Sequence, residues 1–290
     1  MLRESQPIHL VECPRDAMQG LHDFIPTERK AAYLNQLLRV GFSTLDFGSF
    51  VSPKAIPQMR DTAEVLQQLD LSQTSTKLLA IVANERGAEA AVEHAQIHYL
   101  GFPLSISETF QQRNTNRSIE EAFNILQNIQ NLCIRHHKTL VTYISMGFGN
   151  PYGDAYSIEL VEAFVNRLKQ MEVRVVSLSD TVGTAIEEDV SLLFKRISGA
   201  FPDIETGVHL HARYSDVAAK TKAAWLAGCR RIDGALKGFG GCPMANDSLV
   251  GNMATEEVIR ALEELGVAPG LNQEELHKSL LMAGTIFPAR

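Results

Sequence analysis

The chain has 290 residues, 45% of them apolar, enough to bury either one large barrel or two ordinary domains. A formal net charge of −7 with no basic block argues against nucleic acid or an anionic membrane as the main partner. Neither Met1-Leu2-Arg3-Glu4-Ser5 nor any later run has the apolar length of a signal peptide or a bilayer span, and the four cysteines show no CxxC spacing, so a reducing, cytoplasmic setting is expected.

Short β-branched runs alternate with longer helical patterns along almost the whole chain. The first predicted strand covers residues 8–12 and is followed by Arg15, Asp16 and Gln19. Thr27 then precedes Glu28-Arg29-Lys30 and an apolar stripe that stops at Gly41, which reads as a helix N-cap and a closing glycine. Strand two, 43–47, carries Asp46; strands three and four fall at 77–83 and 104–107. Ser118-Ile119-Glu120-Glu121 forms a capping box ahead of Phe123, Ile125, Leu126 and Ile129. Strand five, 140–145, ends on Ser145, and strand six, 173–178, leads to Asp180. Strand seven, 206–211, ends in His209 and His211, and Ser215 opens a helix closed by Gly228. Strand eight, 231–235, runs into Gly238-Phe239-Gly240-Gly241-Cys242-Pro243; Asn252 follows, and Thr255 opens a helix closed by Gly266. His94, His98, His136 and His137 fall on predicted helices away from the strand ends, and Cys13, Cys133 and Cys229 read as small buried hydrophobes.

Eight strands each followed by a helix, with no Pro/Gly/Ser-rich linker, predict one α/β domain over 1–290, a closed (β/α)8 TIM barrel. An open doubly wound sheet would want a glycine-rich phosphate loop after strand one, and Arg15-Asp16-Ala17-Met18-Gln19 is not one. In such a barrel the chemistry gathers at the C-terminal ends of the strands.

His209 and His211 alternate on a strand, so both imidazoles can converge on one ion; taken alone, such a pair is more often the solvated face of an edge strand. With Asp16 and Asn252 they would form a mixed oxygen and nitrogen set with room for two more oxygens, which suits Mg²⁺ or Mn²⁺ better than structural zinc. Asp16 reads otherwise as an exposed N-cap, and Asn252 as a loop amide satisfying local backbone. Arg15 is either a cation for a developing enolate or carboxylate, or a barrel-mouth salt bridge. Cys242 is either a thiol that exchanges a proton with a carbanion, or part of an ordinary closing turn. Arg15, Gln19 and Ser145 are the candidate substrate-binding residues.

Several motifs together resemble the 3-hydroxy-3-methylglutaryl-CoA lyases, HMGL-like or pyruvate carboxyltransferase-type domains of the DRE-TIM metallolyase superfamily. They are Pro14-Arg15-Asp16-Ala17-Met18-Gln19, Ser49-Phe50-Val51-Ser52-Pro53-Lys54 with Pro57-Gln58-Met59, Ser177-Leu178-Ser179-Asp180-Thr181, His209-Leu210-His211, Gly240-Gly241-Cys242-Pro243 and Gly251-Asn252-Met253-Ala254-Thr255-Glu256. The resemblance implies a barrel in which Asp16, His209, His211 and Asn252 bind a divalent cation and Arg15 stabilises an enolate. It further implies that Cys242 transfers a proton from a loop, that Asp46 stands at the place of a catalytic glutamate, and that Asp180 is an acid close to the site. The implied reaction is a retro-Claisen cleavage of 3-hydroxy-3-methylglutaryl-CoA to acetyl-CoA and acetoacetate.

The chain departs from the family pattern at the active face. Ala17 replaces a glycine, placing a methyl group in an expected tight turn. Val11 stands where an acid is expected, with Glu12 one place later and so on the opposite side of the strand. Ser179 replaces a glycine, and Ala212, beside Arg213, replaces the acid that usually follows the second histidine. These departures leave room for a lyase or aldolase acting on another acyl-CoA or hydroxy acid, or for a non-catalytic metal- or ligand-binding barrel. A homo-oligomer suits a barrel of this size, though no apolar stripe in the sequence names its surface.

Overall fold

The computed structural model describes residues 7–241 and 250–287. Eight parallel strands pair in chain order and close on themselves: β1 (His9–Glu12), β2 (Thr44–Ser49), β3 (Lys77–Ile81), β4 (Ile97–Ser105), β5 (Thr139–Ser145), β6 (Val175–Asp180), β7 (Glu205–Leu210) and β8 (Arg231–Gly234), which returns to β1. The helices outside them are α1 (Pro14–Gln19), α2 (Thr27–Leu38), α3 (Thr62–Gln67), α4 (Glu85–Val92), α5 (Glu108–Thr115), α6 (Ile119–Arg135), α7 (Ile158–Gln170), α8 (Glu187–Ala200), α9 (Val217–Leu226), α10 (Thr255–Glu263) and α11 (Gln273–Ile286). The expected (β/α)8 barrel is therefore observed. Among the described residues no helix is long and apolar enough to cross a membrane.

Strand alternation divides the buried residues between two cores. Leu79, Ile81, Val141, Tyr143 and Val175 fill the barrel interior, while their strand neighbours Leu78, Ala80, Leu140, Ile144, Val176 and Leu178 face the helices. Which core a strand residue joins decides what its side chain can reach, and this governs the site below.

Local signals behave unevenly. The Ser118 box forms as expected, with Ser118 Oγ accepting from the Glu121 N–H at 3.2 Å and Glu121 Oε2 accepting from the Ser118 N–H at 2.7 Å. Gly41, Gly228 and Gly266 take left-handed backbone, with φ of +90°, +106° and +76°, just past the helices they were expected to close. Thr27 is not the cap but the first residue of its helix and donates to Asp61 Oδ2 at 2.8 Å, whereas Thr255 opens α10 as expected and donates to Glu12 Oε2 at 2.6 Å. Ser215 falls in a short 3₁₀ turn before α9 and binds Asp216.

Strand four corrects the expectation most. It runs over Ile97–Ser105 rather than 104–107, so His98 lies on a strand near the closed end of the barrel, and His94, His136 and His137 lie just beyond helices. Gly101 and Pro103 disguise it, yet Gly101 is required there: a Cβ would come within 2.5 Å of Ile81 Cδ1 and 3.1 Å of the Tyr143 ring. β6 likewise continues two residues beyond its expected end, through Asp180.

Candidate active site

The β1–α1 junction delivers the first site residues. Pro14 occupies the first turn of α1, where a missing N–H costs nothing, and the six-residue helix holds Arg15 and Asp16 buried at the barrel mouth. Asp16 is thus a buried carboxylate and not an exposed cap. Ala17 sits within this helical turn, so its methyl group enters a conformation any residue adopts.

Arg15 organises the carboxylates around it. Its Nε donates to both oxygens of Asp46 at 3.2 and 3.0 Å, and its Nη2 donates to Asp46 Oδ2. Its Nη1 donates to Asp16 Oδ1 at 3.0 Å and to Gln19 Oε1 at 2.9 Å, while Gln19 Nε2 returns to Asp16 Oδ1 at 2.7 Å. Burial opposes ionisation of Asp16, yet Arg15, the two histidines and the Asn252 amide outweigh it and hold the carboxyl at about 2. For Asp46 burial wins over Arg15, and its pKa rises to about 6.

β7 brings the histidines. One atom each of Asp16, His209 and His211 lie within 4.8 Å of one another, and the two rings stand 5.4 Å apart. His211 is pushed down to about 4, first by burial and then by the charge of His209, which leaves a neutral imidazole; its buried Nδ1 has no protein partner. Asn252 bridges to His211 along the backbone, and its Nδ2 donates to Asp16 Oδ2 at 2.6 Å and to Phe239 O at 2.9 Å, leaving Oδ1 as the atom it would offer a cation. Gly240, at φ +95°, folds tightly here: a Cβ would lie 2.6 Å from Asn252 Nδ2 and 2.9 Å from the Asp16 carbonyl. A carboxylate and two imidazoles, one of them neutral, with a ligand atom of each within 4.8 Å of the others, fit a divalent cation with oxygen and nitrogen preference.

Sequence reasoning missed Asp233. It stands on β8 opposite His209 in register, is fully buried, and accepts from His209 Nδ1 at 3.2 Å. Burial disfavours the charged His209, but the Asp233 hydrogen bond and charge, with Asp16, raise its pKa. The neighbouring strand therefore supplies a carboxylate on the His209 ring although Ala212 lacks one. The signal was the position of Asp233 within an expected strand that neighbours the one carrying the histidines.

The remaining expected residues are placed as follows. Ser145 ends β5 in step with the inward-facing Val141 and Tyr143, at the mouth. Asp180 follows the outward parity of Val176 and Leu178: it accepts from the N–H groups of Thr184 and Ala185 at 3.1 Å and from the buried Lys220 Nζ at 3.0 Å, and is not brought to the Arg15 cluster. Lys220 also donates to the His211 carbonyl at 2.9 Å. Val11 is buried, and Glu12 faces the other way as expected, accepting from the Leu236 N–H at 2.8 Å and from Thr255. Arg213 is exposed. Cys242 lies outside the described residues.

The HMGL-like family model matches residues 8–281. A hydroxymethylglutaryl-CoA lyase of Bacillus subtilis, YngG, is 34% identical over 91% of this chain and 87% of its own length. An (R)-citramalyl-CoA lyase of Chloroflexus aurantiacus is 29% identical over 91% of this chain and 85% of its own. Among solved structures, an HMG-CoA lyase from Acenitobacter baumannii in complex with coenzyme A and 3-methylmalate superposes with a TM-score of 0.90 at 28% identity, covering 99% of this chain and 93% of that one.

Proposed function

The chain belongs to the HMGL-like family and is a carbon–carbon lyase, and we propose that it cleaves 3-hydroxy-3-methylglutaryl-CoA to acetyl-CoA and acetoacetate with Mg²⁺ or Mn²⁺ as cofactor. The observation that carries this reading is the convergence of Asp16, His209 and His211 beside the Arg15–Asp46 pair. Asp16, His209, His211 and Asn252 would hold the cation. Bound there, it supplies Lewis acidity that makes a substrate hydroxyl easier to deprotonate.

The chain's own groups account for the rest. Asp46, at about 6, is a carboxylate that can take up a proton near neutral pH. Arg15 is held charged, because Asp46 and Asp16 more than offset its burial, and it presents fixed donors to an enolate oxygen. Asp46 must share Arg15 with that oxygen, so cleavage and proton uptake are coupled through one guanidinium. Gln19 and Ser145 contact the substrate at the mouth, and Cys242 returns a proton to the carbanion. We assign the enzyme to the cytoplasm, in keeping with the free, buried Cys13, Cys133 and Cys229.

Acetoacetate release by metal-loaded protein tests the proposal. It is expected with Mg²⁺ or Mn²⁺ and abolished by His209→Ala; absence of cleavage in purified, metal-loaded protein overturns it. The short Asp46 side chain and the exposed Arg213 favour one second reading, a different 3-hydroxyacyl-CoA such as citramalyl-CoA, and a substrate panel decides by the higher kcat/KM.

A further inference from the structure

Below the histidine pair the barrel interior is not uniformly apolar. Arg231, at the start of β8, is 2% exposed and lies along β7 at Gly207, where a Cβ would come within 2.9 Å of its Cγ and Cδ. Gly207 is therefore the room that the arginine occupies. Its Nη1 reaches Glu205 Oε1 at 3.6 Å on the outer rim and its guanidinium lies 5.6 Å from the Tyr99 ring centroid, but its Nε and Nη2 have no hydrogen-bond partner among the described residues.

Three further buried side-chain groups lack a protein partner in the same interior: Tyr143 OH, Ser177 Oγ and Asp233 Oδ1. Register places them together, since Tyr143 pairs with Ser177, Ser177 with Gly207, and Asp233 with His209. The carboxylates of Asp233 and, at the rim, Glu205 favour the ionised Arg231 against burial, while burial keeps the Tyr143 phenol neutral. Arg231 only donates, the Asp233 carboxylate only accepts, and the two hydroxyls do both. Native interiors rarely leave such groups unpaired, and a water needs two to four polar partners to be held.

We infer that Tyr143, Ser177, Arg231 and Asp233 share bound water inside the barrel, and that through it Arg231 is a positioning residue for His209. Arg231 anchors the Oδ1 side of Asp233, whose Oδ2 accepts from Nδ1 of His209, and this sets the histidine's tautomer so that Nε2 is the nitrogen left to face Asp16. An uncompensated charge in this interior would be costly, so Arg231 and Asp233 act as one unit. The consequence for metal binding rests on reading His209 as a ligand; the tautomer does not.

The test uses the metal-free, full-length protein first. ¹⁵N-imidazole NMR at a pH alkaline enough for the His209 ring to be neutral, with His209 assigned by its loss in His209→Asn, is expected to show a single Nδ1-protonated form in the wild type and a mixture in Arg231→Met. Mn²⁺ titration followed by electron paramagnetic resonance should show affinity weakened by about 10- to 100-fold in Asp233→Asn and by about 3- to 10-fold in Arg231→Met, which acts one step further out. Arg231→Lys, which keeps the charge, should recover part of the affinity, an effect that packing alone does not produce. If Arg231→Met fails to fold, Gly207→Ala displaces the guanidinium while keeping it, and the same tautomer change is expected. An unchanged His209 tautomer together with wild-type Mn²⁺ affinity in the folded variant overturns the inference, as does a high-resolution crystal structure with no water among the four groups. Failure of the wild type to bind Mn²⁺ would instead overturn the metal reading and leave the tautomer result standing.

Discussion

β7 is flanked by two aspartates that serve its two histidines in different ways. Asp233, on β8, faces the barrel interior and touches the His209 ring itself. Asp180, on β6, faces the helices and makes no hydrogen bond to either ring, fixing the following turn and, through Lys220, the carbonyl of His211. The interior contact bears directly on a ring nitrogen of His209; the helix-side pair sets where the strand end stands and reaches the His211 ring only as opposed charges without a hydrogen bond. An acid near an active site is thus better judged by its strand parity than by its distance in sequence.

The sharpest way to break this contrast is Lys220→Met. It leaves the buried Asp180 without its cation, and removing one partner of such a pair costs about 3–5 kcal/mol. The two backbone N–H groups that remain on Asp180 place the loss at the lower end of that range. Denaturant midpoints should fall accordingly, while the Mn²⁺ affinity of the folded protein stays within about threefold of wild type, well short of the loss expected for a group that orients a ligand. An affinity loss as large as that of Asp233→Asn would show that the two aspartates do not differ in kind.

A second, smaller effect belongs to the interior side. Arg15→Lys keeps a positive charge but loses the fork that engages both oxygens of Asp46 along with Asp16 and Gln19. We expect kcat to fall by about 10²-fold, the lower end for loss of a fixed donor at a developing oxyanion, with KM changed far less. A fall confined to KM would make Arg15 a substrate clamp instead.

Much of this architecture is legible from the amino-acid order. Eight alternating runs imply the barrel, and Asp16, His209, His211 and Asn252, scattered over more than two hundred residues, lie together at its mouth. What stays hidden depends on register and on strand length, which no local window contains. Asp233 matters because β7 and β8 align it with His209. Asp180 turns outward because β6 continues through it; had the strand ended at Leu178, a loop would have been free to carry it to the mouth. Arg231 and Lys220 look like solvated charges in one dimension, and only Gly207 and Asp180, distant in sequence, show that each is buried by design of its surroundings. The first half of β4 is hidden for the opposite reason, because Gly101 and Pro103 lower its strand character at the point where the interior is most crowded.

Glu12 extends the comparison to a third buried carboxylate, on β1, with no cation beside it among the described residues. Burial, the largest influence, lifts its pKa from the usual 4.5 to about 8 in spite of the Thr255 hydroxyl and the Leu236 N–H that it accepts. A raised carboxylate binds its proton more tightly in the folded state. Its contribution to stability is therefore complete below 4.5 and is lost as pH rises through about 8, with a slope approaching ~1.4 kcal/mol per pH unit in that window. Glu12→Gln keeps an acceptor for the Leu236 N–H and, like the protonated acid, offers a donor to the Thr255 hydroxyl, but cannot titrate. Between pH 5 and 8.5 the wild type should lose more stability than this variant, measured as the difference in urea midpoints. Parallel pH profiles would mean that Glu12 is already ionised at pH 5 and that its two donors, like the cations beside Asp16 and Asp180, suffice to hold a charge beneath the strand ends.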